Sequence, residues 1–469
     1  MFADLFYAVQ SQILNAVGNN SINRFVSIEF SDFFDPSLLV QSKLDKDICV
    51  FFERPAENFT LVGIGTAKTL TNKPGHDLTD MGQEIKRIFQ SGCNAHKDYL
   101  TPKLLGGFRF NNSRPLATPW ESFGEGQLIL PKLLFVRSGS KSGVIIAPDL
   151  QSHELLNLLN KLIPKDNSKN KSKKFYPDNM RFKIMNETNW SQTIPKITKN
   201  IRNNRYEKVV LAASIALSLD KDWNFNDAFN YLRMNYSECF LFHMNIGEGV
   251  FFGASPELLV RLTDDGIETA ALAASIGRGD NLDEDRKLAT ELLSDPKSKL
   301  EHQLVINSIV EKLNRLDLKV NIDSTPKIRK LQNIQHLLTP IYAEPTEGLS
   351  IIDLVDQLHP TPAVCGYPEY DAREIIDHYE NFDRGWYAGP VGWVDANGKG
   401  EFAVALRSCL IAENIAWLFA GNGIVADSNV DDELEELLLK FQPLSKAIRH
   451  KNPVNIAYIN PFESNPVRV

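Results

Sequence analysis

The residues best suited to chemistry in this chain are charged ones set into apolar runs. Lys208 opens KVVLAAS, which reads as a buried strand. An ammonium taken out of water is costly. Lys208 is therefore either a lysine snorkelling from a strand end or one whose pKa burial lowers, fit to act as a general base. Glu257 lies in GASPELLVRL, where Gly253, Ser255 and Pro256 predict a turn and leave the glutamate beginning or interrupting an apolar strand. It is either a salt-bridged edge residue or a carboxyl kept partly protonated by apolar surroundings, and so a general acid. Glu301 in KSKLEHQLVINSIV and Glu433 and Glu436 in DDELEELLLK fall on two helical stretches, the last two sharing a helix face. They form either solvated acidic faces or a set of oxygens suited to Mg²⁺, a hard ion that takes few protein ligands and keeps waters. In EFAVALRSCLI, strand alternation puts Ala403, Ala405, Arg407 and Cys409 on one face. Arg407 is then an edge-strand arginine in a salt bridge, or a guanidinium with room beside it to clamp a carboxylate. AGNGIVADS exposes backbone at Gly421 and Gly423, where a ligand can come close.

The elements that must hold these groups are mostly strands. ICVFFE, FTLVGIGTA and LILPKLLFV read as strands, with helices near 79–91 and 152–163. Gly63 and Gly65 lack the third glycine of a dinucleotide loop and predict a turn or a tight strand crossing. Trp190, Ile194, Ile197 and Ile201 share a helix face, with Pro195 in its first turn or at a kink. EKVVLAASIALSL, CFLFHMNI, GVFFGASPELLVRL and IETAALAAS follow as strands. A helical stretch runs from about Leu282 to Leu316 with a break at Pro296. WYAGPVGWV and EFAVALRSCLI flank a hairpin turn at Asn397-Gly398. A last helix, from about Val430 to Ile448, carries Asp427, Ser428, Asp431 and Asp432 at its N-terminus, where the helix dipole favours them. Antiparallel strands mixed with helix pairs predict an α+β fold built on large, mostly antiparallel sheets. The polar, basic KDNSKNKSKK at 165–174 suggests a boundary. It divides the chain into an N-terminal half (1–175), a second half (176–449) forming one compact domain with the first, and a tail (450–469).

Composition excludes several classes. Over 469 residues the apolar fraction is 43%, the charged fraction 23% and the net charge −8, as in an ordinary globular protein with no pull toward nucleic acid or an anionic membrane. The N-terminal MFADLFYAVQSQILNAV is an amphipathic helix with an acid at Asp4, not a signal peptide, and no apolar run is long enough to cross a bilayer. Five scattered cysteines without C-x-x-C spacing suit free thiols and predict a cytoplasmic protein. Walker A loops, H-E-x-x-H and nucleophile elbows are absent.

From about Trp190 to Ile448 the order of these groups resembles the chorismate-utilising enzymes, which include the large subunit of anthranilate synthase, aminodeoxychorismate synthase, salicylate synthase and isochorismate synthase. The blocks that carry the resemblance are KVVLA, FGASPELLVR, KLEHQLV, QHLLTPI, LHPTPAVCGYP, FDRGWYAGPVGW, GEFAVALRS, AGNGIVADS and the DELEELLLK helix. In the N-terminal part, FFERPAENFTLVGIGTA and WESFGEGQLILP look like the longer isochorismate synthases. The resemblance implies the α/β sandwich of anthranilate synthase component I. It also implies that Lys208 activates water and Glu257 protonates a departing hydroxyl. Glu301 and Glu436 would hold Mg²⁺, with Glu433 acting through a metal-bound water. Arg407 and Tyr387 would hold the enolpyruvyl carboxylate, Gly421 and Gly423 would offer backbone amides, and Ser275, His336 and Lys440 would line the pocket. The ammonia-using members carry glutamine in place of Lys208, so the lysine favours water and makes a glutamine amidotransferase subunit unnecessary. Aminodeoxychorismate synthase carries a nucleophilic lysine where this chain has Ala273. The expected reaction is chorismate to isochorismate. The alternatives are a salicylate synthase, which goes on to eliminate pyruvate, and a catalytically silent chorismate-binding subunit. The chain departs from the pattern at Ala274, where glycine is usual and a methyl group would crowd the pocket, and at Leu434 and Leu437.

Overall fold

Strands form in this chain where apolar residues alternate or run unbroken, and they end at Gly, Asn and Asp turns. The computed structural model describes residues 2–18, 22–42, 48–72, 78–90, 97–111, 114–163, 182–184, 190–219 and 223–448. The polar segment 165–174 and the tail 450–469 lie outside them.

The first part comprises α1 (Phe2–Val17), β1 (Val26–Glu29), β2 (Ile48–Arg54), β3 (Phe59–Thr71), α2 (Leu78–Phe89), β4 (Lys103–Phe108), β5 (Gly126–Ser138), β6 (Lys141–Ile146) and α3 (Ser152–Lys161). The apolar face of α1 buries Phe6, Val9 and Ile13. Gly63 and Gly65 lie inside β3 and not at a turn, and a Cβ on Gly63 would come within 2.5 Å of the side chain of Val50, its partner on the neighbouring strand. Next come β7 (Phe182–Ile184), α4 (Trp190–Arg202), β8 (Lys208–Ser218), α5 (Phe225–Asn235), β9 (Phe240–Ile246), β10 (Gly249–Ser255), β11 (Leu258–Leu262) and β12 (Ile267–Gly277). Pro195 sits well inside α4, past its first turn. The predicted break at Pro296 separates α6 (Leu282–Ser294) from α7 (Pro296–Asn314), and Asp295 caps α7 by accepting from the Ser298 backbone N–H. The chain continues through β13 (Val320–Ile322), β14 (Lys327–Lys330), β15 (Ile334–Ala343), α8 (Ile351–Leu358), β16 (Gly366–Tyr367) and α9 (Glu369–Tyr379). It ends in β17 (Pro390–Asp395), β18 (Gly400–Val404), β19 (Ser408–Ala412), β20 (Ile415–Ile424) and α10 (Val430–Ile448).

All strand pairings are antiparallel, as expected for an α+β fold. β5 is a branch point, with β3 on one edge and β4 and β6 on the other. From β3 one arm runs through β2, β9, β10, β19 and β20 to β8. From β4 the other runs through β17, β18, β11 and β12 to β15. The β2–β9 and β4–β17 pairings hydrogen-bond early strands to late ones, so both parts of the chain share one framework.

Two local expectations are corrected. Gly253 and Ser255 belong to β10, so the strand runs up to Pro256 and only Pro256 and Glu257 separate it from β11. The single strand drawn through Arg407 does not exist. β18 stops at Val404, the Leu406 N–H folds back to the Val404 carbonyl at 2.7 Å, and Arg407 takes a left-handed backbone with φ 46°. The break is where the chain leaves one arm for the other: β18 pairs β11 and β17, whereas β19 pairs β10 and β20. Alternation of faces cannot persist through such a change, so Arg407 does not share a strand face with Ala403, Ala405 and Cys409.

Candidate active site

A cavity of about 560 Å³ lies where β8, β12 and β20 meet α7 and α10, within the usual range for a small-molecule site. Every residue that the sequence offered for catalysis, substrate binding or metal binding lines it: Lys208, Glu257, Ser275, Glu301, His336, Tyr387, Arg407, Gly421, Gly423, Glu433, Glu436 and Lys440.

Lys208 is no strand-end snorkeller. It is 1% exposed, β16 and β20 flank its strand, and its Nζ lies 2.9 Å from Glu301 Oε1. Gly423 leaves the space for this pair, since a Cβ there would stand 2.7 Å from Lys208 Cε and 2.9 Å from Glu301 Oε1. Burial alone would raise the Glu301 carboxyl, but the Lys208 charge and hydrogen bond bring it below the usual carboxylate range. Glu257 is the opposite case. Burial pushes it up to about 8, and neither the Lys208 charge nor a long contact from the Thr361 hydroxyl (3.5 Å) offsets that. It is therefore largely protonated at neutral pH, as a general acid must be.

The remaining carboxylates come from one face of α10. Glu433 is raised by burial and then by the charge of Glu436, with Glu301 adding to the repulsion. Each of the three has a lysine partner: Lys208 for Glu301, Lys297 for Glu433 at 3.4 Å and Lys440 for Glu436 at 2.8 Å. Held apart in this way, they do not form a ready ligand set, and no group of three His, Cys, Asp or Glu side chains among the described residues has metal-holding geometry. Their mutual repulsion is nonetheless the electrostatic condition that a divalent cation relieves.

Arg407 is a fully buried guanidinium whose Nη2 meets His336 Nε2 at 2.9 Å, while Nη1 has no partner among the described residues. No carboxylate figures among the charges that act on it. A buried cation without an anion is costly, so this one is poised for an anion brought in by a ligand. Tyr387 stacks on Phe419 with ring centroids 5.3 Å apart, and its hydroxyl would lie 3.1 Å from a Cβ on Gly421. Burial drives the phenol pKa upward, so it remains a hydrogen-bond donor. Lys440 ties the cavity wall together by donating to the Gly421 carbonyl at 2.9 Å.

A buried lysine, a carboxyl raised by burial, a carboxylate cluster and a guanidinium with no carboxylate partner among the described residues surround one cavity. Residues 12–449 match the model of a family described as chorismate binding enzyme. The chain belongs to this family. It is 30% identical over 419 residues to the isochorismate synthase MenF of Bacillus subtilis, covering 85% of this chain and 87% of the relative. The salicylate biosynthesis isochorismate synthase of Pseudomonas aeruginosa is 34% identical over 360 residues, with 74% and 75% covered. The solved structure of MenF, the menaquinone-specific isochorismate synthase of Escherichia coli, superposes with a TM-score of 0.75 at 26% identity, covering 95% of this chain and all of that one.

Within this chorismate-binding enzyme one of the departures from the family pattern, Ala274, lines the cavity and the other two do not. Ala274 has φ 61° at a bulge in β12, and its methyl packs with Leu292 and Leu337. Leu437 is buried in the main core and Leu434 packs against it, and neither lines the cavity. Sequence reasoning missed Lys297, although it had a signal: a lysine in the first turn of a helix opposes the dipole unless a carboxylate such as Glu433 answers it. It also missed Asn422, which donates to both the backbone carbonyl and the carboxylate of Glu433. No helix of the described residues is long and apolar enough to cross a membrane.

Proposed function

We propose that this enzyme converts chorismate to isochorismate, and that Lys208 and Glu257 divide the proton work. The observation that carries this reading is that one cavity holds a lysine hydrogen-bonded to a carboxylate and a second carboxyl kept protonated. Lys208 in its neutral form takes a proton from a water, which adds to C2 of the ring, and Glu301 orients the amine through their hydrogen bond. The ring double bonds shift, and the C4 hydroxyl leaves as water with the Glu257 proton. One water enters and one leaves, so the reaction is readily reversible. The guanidinium of Arg407 and the phenol of Tyr387 hold the enolpyruvyl carboxylate, with Gly421 and Gly423 leaving room for close approach. Glu301, Glu436 and Glu433 fit Mg²⁺ by charge and ligand type, and the ion would supply charge neutralisation at the ring carboxylate. The nucleophile is water, so no ammonia-supplying subunit takes part.

Chromatography of the purified enzyme with chorismate and Mg²⁺ tests this. The expected product is isochorismate alone, carrying ¹⁸O at C2 in labelled water. Salicylate with pyruvate, or binding without turnover, would overturn the assignment. Lys208→Ala and Glu257→Gln each lower kcat by on the order of 10³-fold or more with the fold intact by circular dichroism. Wild-type-like rates in either would remove that residue from the mechanism. Chelation abolishes activity, Mg²⁺ restores it, and Glu436→Ala weakens the Mg²⁺ titration.

A further inference from the structure

The cavity lining also contains an imidazole with a hydrogen-bonding side chain at each ring nitrogen. His336 Nδ1 lies 2.9 Å from Ser275 Oγ, and His336 Nε2 lies 2.9 Å from Arg407 Nη2. A guanidinium nitrogen can only donate. At that distance Nε2 must present its lone pair, because an Nε2–H would oppose two hydrogens. The ring proton therefore resides on Nδ1, facing the Ser275 oxygen, with the Ala274 backbone as a further acceptor for the ring. With its oxygen accepting, the Ser275 hydroxyl is left to donate elsewhere, and Ser275 lines the cavity. On the other side, the bond to Nε2 fixes the guanidinium plane and leaves Nη1 as the donor without a partner among the described residues. The bulge at Ala274 brings Ser275 into register opposite His336 across β12 and β15.

We propose that His336 is a positioning residue, a neutral ring of fixed tautomer that turns the Arg407 guanidinium and the Ser275 hydroxyl into aligned donors for the substrate's carboxylates, and that it transfers no proton itself. The proposal rests on reading the cavity as the chorismate site. Protonating His336 would break its bond to Arg407 and set two cations side by side. Burial, and then the charges of Arg407 and Lys440, hold the imidazole well below its ordinary pKa, so the neutral form persists through the working pH range.

An amide can replace this ring, because its oxygen accepts where Nε2 did and its NH₂ donates where Nδ1–H did. His336→Asn and His336→Gln are compared with His336→Leu in steady-state kinetics with chorismate. The expected result is KM raised on the order of 100-fold in the leucine variant, as for loss of an aligned charged hydrogen bond. At least one amide variant recovers to within about ten-fold of wild type, and no limb of the pH–rate profile disappears. Amide variants as inactive as leucine, with kcat lost and KM unchanged, would make His336 an acid or base and overturn the proposal. Ring ¹⁵N shifts of the wild-type enzyme provide a second readout that needs no variant. They should show Nε2 unprotonated and Nδ1 protonated, and an Nε2–H tautomer overturns the proposal. Wild-type enzyme that leaves chorismate unchanged would instead sink the assigned reaction, and the ¹⁵N tautomer would still decide the role of the ring toward Arg407.

Discussion

A carboxyl that must surrender a proton at neutral pH has to be built where a carboxylate is unwelcome, and Glu257 shows what that costs the fold. An unfolded glutamate titrates near 4.5, and this one is raised to about 8 by burial. Between those values the folded protein holds one proton more than the unfolded chain, so its stability falls as pH rises, and the whole penalty is present above pH 8. Glutamine keeps the shape and removes the charge. Glu257→Gln should therefore be catalytically dead yet gain stability relative to wild type between pH 5 and pH 9, by on the order of a few kcal/mol. Denaturant titrations of both proteins at the two pH values check this. Parallel pH dependence would show that Glu257 is already ionised in the fold.

At the scale of elements, the strand that carries Lys208 has no continuous neighbour on one edge among the described residues. β16 covers Lys208 and Val209, β7 covers Ile215 to Leu217, and side chains serve the stretch between them. Arg384 Nη2 donates to the Val210 carbonyl at 2.8 Å, the Ala212 N–H donates to Glu380 Oε1 at 2.7 Å, and Arg384 Nη1 reaches the Val364 carbonyl at 2.8 Å. The Glu380–Arg384 ion pair is buried (side chains 1% and 3% exposed) and so stands in for a strand behind the cavity. Removing one member strands the other charge, so Arg384→Met should cost about 3–5 kcal/mol. The double variant Glu380→Met with Arg384→Met should cost less than the two single changes summed, with turnover reduced in all three because β8 shifts. Additive losses in a double-mutant cycle would mean that the two act independently. None of this was legible in FDRGWY, because an arginine's partner depends on which strand edge the fold leaves open. Lys208, Glu257 and the α10 carboxylates were legible because a charge inside an apolar run, or two acids three apart on a helix, is a local signal. Arg407 was found for that reason too, and its backbone was misread for the complementary one: a chain that changes sheet arms leaves no mark in the alternation of residue types.

At the scale of the whole molecule, the buried histidines set the acid limit. His243 is lowered to about 3 by burial, His359 to about 3 by burial and the charge of Arg373, and His336 lies well below its ordinary range. Unfolded, each titrates near 6.5, so below that pH the unfolded chain binds protons that the native state refuses. Stability therefore drops as pH falls from 6.5 toward the folded values, by about 1.4 kcal/mol per histidine per pH unit. Two of these rings have a use in hydrogen bonding: His336 orients the cavity donors, and His359 bonds the Phe110 carbonyl at 3.0 Å. His243 is different. It packs against Phe225 with ring centroids 4.7 Å apart and the planes tilted by 46°, and neither ring nitrogen has a hydrogen-bond partner among the described residues. An apolar side chain of similar size should fit the site better, because two unsatisfied polar atoms disappear. His243→Leu is thus expected to raise stability at pH 7 by about 1–3 kcal/mol and to make the loss of stability between pH 6 and pH 4 shallower by one proton, with turnover unchanged because the ring does not line the cavity. Unfolding free energies measured across that range decide it. A variant less stable than wild type, or one with the same acid slope, would mean that the ring is hydrogen-bonded or charged in the native protein.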